Sequence, residues 1–270
     1  MHLDHFSLPV PQLSQEAVIH VFLPDAYDAG APLPVFYMND GQYVFGKTCT
    51  FDSSLSGLDF LEYYKTMQAY VPDIIIVAVE AAKTRFGRMA RYLPVWNYSD
   101  HLNATYGADF VAHGKEFADW IAHDLKSYID SHYRTLPEAE HTGIGGLSAS
   151  CIFSSYTAGR YSDTYSKLLI LSPSVYLWWD ALKPLYDTLD YSKLDAFFSF
   201  VGTNETGRIT QANHFICGSK LLEETMLGNG LRKDAMLHIT QPGGEHNGTS
   251  WQYFFPEGLR YIFRPQREKF

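Results

Sequence analysis

Residues 141–150 read HTGIGGLSAS and crowd glycines and small side chains around Ser148. Two chemistries fit this stretch. As Gly143-x-Gly145-x-x-Ser148, it is one residue short of a glycine loop that cradles a dinucleotide pyrophosphate. As Gly146-Leu147-Ser148-Ala149-Ser150, it is one residue short of G-x-S-x-G, a strand-to-helix turn that exposes a nucleophilic serine. Such a serine needs an acid and a base, which follow an elbow of this kind in the order Asp/Glu, then His. Three histidines come after Ser148. His214 falls within a helix expected over 211–227, and His238 falls inside the strand-like AMLHIT. His246 sits in the glycine-rich PGGEHNGTSW, where an imidazole can reach the serine. Glu205, in FFSFVGTNETG, stands directly past an apolar strand, whereas Glu245, Asp180, Asp187, Asp190 and Asp195 lack that placement. A glutamate after a strand also serves as a helix cap. Its agreement in chain order and sheet edge with Ser148 and His246 favours the catalytic reading.

The elements around these residues decide between the two chemistries. A dinucleotide loop needs a strand ending just before its first glycine, but LPEAEH precedes Gly143 and makes a poor strand. The β-like run is Thr142–Gly146 itself, so the chain turns at Leu147–Ser148, and ASCIFSSYTAGRY reads as the helix behind it. Further strands are expected at Ala17–Leu23, Pro34–Met38, Ile74–Val79, Leu168–Leu171, Phe197–Val201 and Met236–Thr240. Apolar residues at three- and four-residue steps predict a helix between Phe110 and Tyr133. A second is expected over Gln211–Leu227, with Leu221, Leu222 and Met226 on one face. Strands alternating with helices give an α/β fold: a mainly parallel twisted sheet with helices on both faces and an antiparallel opening strand at its edge. No linker or repeat interrupts residues 1–270, so one domain is expected.

With these residues in place, the chain resembles the putative-esterase branch of the α/β hydrolases, which includes enterochelin-esterase-like hydrolases, feruloyl esterase domains and mycolyltransferases. VIHVFLPDAYDAG and LPVFYMNDGQYVF are similar to that family's opening strands and its D-G-x loop. ARYLPVW resembles its arginine-to-proline segment, and FADWIAHDLKSYIDSHYRT its long helix before the elbow. GLSAS, VGTNE and GGEHNGTSW resemble its nucleophile, acid and histidine segments. The resemblance implies the α/β-hydrolase fold, a three-layer αβα sandwich. It also implies Ser148 as nucleophile, Glu205 as orienting acid and His246 as base, with the backbone N–H groups of Gln42 and Ala149 as the oxyanion hole. Ser150 departs from the pattern, because it stands where the elbow has its second glycine; slight crowding of the turn is expected.

The remaining features bound the function. A net charge of −9 opposes binding to nucleic acid or anionic membranes. Cys49, Cys151 and Cys217 form no disulfide framework, and the opening MHLDHFSLPV has neither a basic n-region nor a long apolar run, so a cytoplasmic protein is expected. KTRFGRMAR offers Arg88 and Arg91 as a cationic rim for a substrate carboxylate, phosphate or catecholate, or else as a loop paired with neighbours such as Glu80. In SVYLWWD, Tyr176, Trp178 and Trp179 can wall an acyl pocket or simply pack the core, and Trp251 in the histidine segment is a further candidate for substrate contact. Cys151 is expected to point into the core from the elbow helix. No metal-ligand spacing appears, so neither metal nor other cofactor is implied. The function expected is a serine esterase that works through an acyl-serine. An acyltransferase, a thioesterase of the S-formylglutathione type, a siderophore trilactone esterase or a non-catalytic binding protein on the same scaffold are the alternatives. The oligomeric state is not legible.

Overall fold

Runs such as DIIIVAV and FFSFV are apolar at successive positions, and successive strand side chains face opposite ways, so both faces of their sheet need cover. The computed structural model describes residues 1–96, 107, 110–206 and 211–264. Within them lies a sheet of eight strands: β1 (His2–Val10), β2 (Gln15–Leu23), β3 (Val35–Asn39), β4 (Ile75–Val79), β5 (Thr142–Leu147), β6 (Lys167–Leu171), β7 (Ala196–Gly202) and β8 (Met236–Gln241). Their order is β1-β2-β4-β3-β5-β6-β7-β8. β2 is antiparallel to both β1 and β4, and the other pairings are parallel.

The pleat divides the core in two. One face sends Tyr37, Val77, Ile144, Ile170 and Phe197 against α2 (Arg85–Tyr92), α3 (Gly114–Trp120), α4 (Lys126–His132), α5 (Ser150–Arg160), α6 (Trp179–Tyr186) and α7 (Ala212–Gly228). The other sends Phe36, Ile76, Leu169, Phe198 and Phe200 against α1 (Phe60–Met67) and α8 (Gly248–Ile262). This is the expected three-layer α/β architecture. No described helix is long and apolar enough to cross a membrane.

Three expectations are adjusted. The antiparallel opening strand is not the sheet edge, because β1 pairs along its outer side. Only its second half alternates, with Phe6, Leu8 and Val10 turned inward, and Pro9 lacks the N–H a central strand needs, so the run reads weakly as β. The long helix begins at Gly114 rather than Phe110 and carries a π-helical turn, Ile121–Leu125, between α3 and α4. Phe110 packs instead on Trp96, with ring centres 4.1 Å apart. In α7, Leu222 and Met226 are buried, but Leu221 is 39% exposed, since adjacent helical residues point about 100° apart.

Two local constraints hold the centre of the sheet. A Cβ on Gly145 would lie 2.5 Å from both the Leu169 carbonyl oxygen and the Phe36 ring, so only glycine lets β5 pass Phe36. At the end of β3, the fully buried Asp40 accepts from Arg88 Nε at 2.8 Å and Nη2 at 2.5 Å. Burial works against the Arg88 charge, but the Asp40 carboxylate outweighs it and raises the guanidinium above its ordinary pKa. Gln42 extends the clamp, donating to Asp40 Oδ1 at 2.9 Å and accepting from the Ala81 N–H at 3.0 Å, which ties the loop after β3 to the end of β4.

Gly145→Ala is expected to lower unfolding free energy by roughly 1–3 kcal/mol in a urea titration, through overpacking against Phe36. Arg88→Met strands a buried carboxylate and should cost about 3–5 kcal/mol. The double variant Asp40→Asn/Arg88→Met should lose clearly less, and equal losses would show that the ion pair is not the cause.

Candidate active site

β5 ends at Leu147, and the next residue, Ser148, adopts φ 57°, a left-handed conformation that a side chain other than glycine takes only under constraint. Its N–H donates to the Leu171 carbonyl at 2.9 Å, which fixes the turn to β6. α5 starts two residues later, at Ser150. The space for it comes from Gly146, where a Cβ would sit 2.6 Å from Ser150 Oγ. Ser150, in place of the usual glycine, does not crowd the turn: its hydroxyl donates to the Leu147 carbonyl and accepts the Leu147 N–H, each at 2.8 Å. Cys151 is fully buried, its Sγ is 3.3 Å from the Gly146 and Leu171 carbonyls, and burial pushes its thiol well above the ordinary range. It is a core residue.

Ser148 Oγ lies 2.8 Å from His246 Nε2, and His246 Nδ1 lies 3.0 Å from Glu205 Oε2. The tautomer that satisfies both has Nδ1–H donating to the carboxylate and Nε2 accepting from the hydroxyl. The loops holding His246 and Glu205 are zipped together, with the Asn204 N–H donating to the Gly244 carbonyl at 2.9 Å and the Thr203 N–H to Gln241 at 3.0 Å. After His246, Asn247 caps α8 by accepting from the Ser250 N–H at 3.1 Å. The imidazole is walled by Phe215 and Trp251, with ring centres 4.5 and 5.0 Å away. Glu205 is fully buried, and its Oε1 accepts from Ser172 Oγ at 2.5 Å and from the Gly202 N–H at 2.7 Å. The other candidates lie elsewhere. His238 pairs with Glu223, His214 lies against Tyr176, Asp195 pairs with Lys167, and Asp187 with Lys183. Such an arrangement can move a proton from a hydroxyl to an imidazole whose charge the carboxylate offsets.

A cavity of about 270 Å³ opens over Ser148 and His246, lined also by Tyr43, Leu55, Arg88 and Trp251. Arg88 thus faces the cavity while bound to Asp40. Arg91 does not: it is buried, donating to the Gln15 side chain at 2.9 and 3.0 Å and to the Glu16 carbonyl at 2.7 Å, so it ties α2 to β2. Trp178 is buried in the core. Tyr176 packs on Phe215, with ring centres 5.0 Å apart, and lines a separate groove with Trp179 and Leu221. Gln42 and Ala149 are both buried, one in the loop after β3 and the other at the head of α5. Sequence reasoning missed Ser172 and Phe215. Ser172 had a readable signal, since it directly follows the expected strand Leu168–Leu171, just as Ser148 follows the glycine-rich strand. Phe215 had none, because a phenylalanine in an amphipathic helix reads as packing. Among the described residues, no group of three or more His, Cys, Asp or Glu side chains is placed to hold a metal.

The chain matches known proteins along nearly its whole length. The Bacillus subtilis (strain 168) uncharacterized protein YbbA is 20% identical over 254 residues, covering 92% of each chain. The solved structure of an IroE-like serine hydrolase from Shewanella oneidensis superposes with a TM-score of 0.70 at 20% identity, over 97% of this chain and 80% of that one. A ferulic acid esterase gives 0.66 at 15% identity, over 97% and 98%. The enterobactin esterase FES from Shigella flexneri gives 0.70 at 16%, and there the match spans 99% of this chain but 60% of the longer one. At these identities the structures establish the α/β-hydrolase type of fold. The family model described as "Putative esterase" matches residues 11–261, and on that match the chain belongs to the Esterase family.

Proposed function

We propose that this carboxylic ester hydrolase works through an acyl-serine formed on Ser148. The observation that carries the reading is the continuous contact from Ser148 Oγ through His246 to the buried Glu205, at 2.8 and 3.0 Å. As Ser148 Oγ attacks the ester carbonyl carbon, His246 Nε2 takes the hydroxyl proton, and Glu205 orients the imidazole and stabilises its positive charge. The tetrahedral oxyanion is received by the backbone N–H groups of Ala149 and Gln42. Collapse expels the alcohol, protonated by His246. Water then attacks the acyl-serine and gives its proton to His246; collapse breaks the acyl–Oγ bond, His246 returns the proton to Ser148 Oγ, and the carboxylic acid leaves. Arg88 and Trp251, on the cavity wall, contact the substrate. The partner is a small ester, since a net charge of −9 repels phosphate backbones. The exposed, unpaired Cys217 suits the reducing cytoplasm. We read residues 1–270 as one domain.

Deleting the nucleophile leaves only oxyanion stabilisation and binding, so Ser148→Ala should lower kcat on p-nitrophenyl esters by at least about 10⁴-fold, and His246→Ala by a similar amount. Glu205→Ala, which removes only orientation and charge support, should cost roughly a hundredfold less. A fluorophosphonate probe should label the wild type at Ser148 and leave Ser148→Ala unlabelled. Normal turnover by Ser148→Ala would sink the mechanism, and labelling at Cys151 would point to a thiol instead. A panel of esters of rising chain length, run beside a cyclic trilactone, a feruloyl ester and an added alcohol acceptor, reads the acyl and acceptor preference.

A further inference from the structure

We infer that Ser172 is a positioning residue, whose hydroxyl, gripped by Trp251, fixes which oxygen of Glu205 faces His246; this rests on the acyl-serine mechanism above. An indole N–H donates and cannot accept. Trp251 Nε1–H therefore donates to Ser172 Oγ, at 2.7 Å, and the hydroxyl proton of Ser172 is left for Glu205 Oε1, at 2.5 Å. The Gly202 N–H meets the same oxygen at 2.7 Å. With two donors on Oε1, Oε2 is the oxygen turned to His246 Nδ1, at 3.0 Å. Ser172 and Glu205 are both fully buried, so water has no access to replace a missing donor.

The circuit closes on itself. The Trp251 ring that holds Ser172 also stands edge-on to His246, at 83° between planes. Trp251, Ser172, Glu205 and His246 thus form a ring of four in which acid and base share one frame. The backbone supports this role. Ser172 repeats the geometry of Ser148 one strand over, with φ 57° directly after β6 and its N–H donating to the Phe200 carbonyl at 2.7 Å. At that left-handed turn, past the end of β6, its Oγ meets Glu205 Oε1.

Ser172→Gly removes the hydroxyl and keeps the left-handed backbone at ease, whereas Ser172→Ala removes it and retains the strain. Both should lower kcat for a p-nitrophenyl ester by about tenfold to a hundredfold, the range for a hydrogen bond to a charged group, with KM changed less than about twofold. Trp251→Phe, which keeps the ring and loses the donor, should show a smaller kcat loss. In a Glu205→Gln background, Ser172→Gly should change kcat by less than about twofold, because the two residues act as one unit. Wild-type kcat in the folded Ser172→Gly variant, accompanied only by a lower melting temperature, would overturn the proposal. So would a loss that persists undiminished in the Glu205→Gln background. Turnover retained by Ser148→Ala would instead overturn the mechanism itself, and this proposal with it.

Discussion

Three neighbouring parallel strands, β3, β5 and β6, are each followed at once by a residue that is not glycine yet lies in the left-handed region: Asp40 at φ 61°, and Ser148 and Ser172 at 57°. Each such residue costs roughly 1 kcal/mol or more and persists only where its surroundings over-determine it. Here each backbone N–H is held sideways. The Asp40 N–H donates to Tyr92 Oη at 3.0 Å, that of Ser148 to Leu171 and that of Ser172 to Phe200. The rest of the site depends on these turns. They reverse the chain at the carboxyl edge of the sheet and lift one polar side chain from each strand over that edge. Because β5, β6 and β7 pair in register, with Leu147 beside Leu171 and Leu171 beside Phe200, the two serines leave the sheet at one level, and Glu205, from the loop after β7, meets Ser172 there.

Two fully buried carboxylates sit behind this edge, and their partners differ in kind. Asp40 is met by a guanidinium, so its charge is cancelled where it stands. Glu205 is met by a hydroxyl, a backbone amide and an imidazole. Of those three, only the imidazole can take up a positive charge, as the proposed mechanism requires when a proton leaves Ser148. A fixed cation beside Glu205 would spend its field on a static pair, whereas neutral donors leave the carboxylate free to respond to the histidine. The Asp40–Arg88 clamp is a structural brace, although Arg88 also borders the cavity.

The same economy appears in the small residues of the elbow. Ser150 stands in place of a glycine, and its hydroxyl finds both polar groups of Leu147. A buried hydroxyl without partners would cost about 1–3 kcal/mol, so it is the double hydrogen bond that makes serine acceptable there. Gly145 has no such freedom, since the atoms it faces are a neighbouring carbonyl and an aromatic ring.

The sequence by itself determined the alternation of strands and helices, the elbow around Ser148, and the order Ser148, Glu205, His246. These are local or ordinal properties: side-chain periodicity, a glycine next to a turn, a residue just past an apolar run. It under-read β1, whose alternation is confined to half its length and interrupted by Pro9. It also grouped Arg91 and Trp178 with the substrate contacts, because burial is decided by elements far apart in the chain: Arg91 is claimed by Gln15 and Glu16, 75 or more residues away. Only the tertiary structure decided that Ser172 and Trp251, 79 residues apart, meet, and that Arg88 is anchored on Asp40. Such partners are chosen by strand register and helix packing, so no spacing in the chain can announce them.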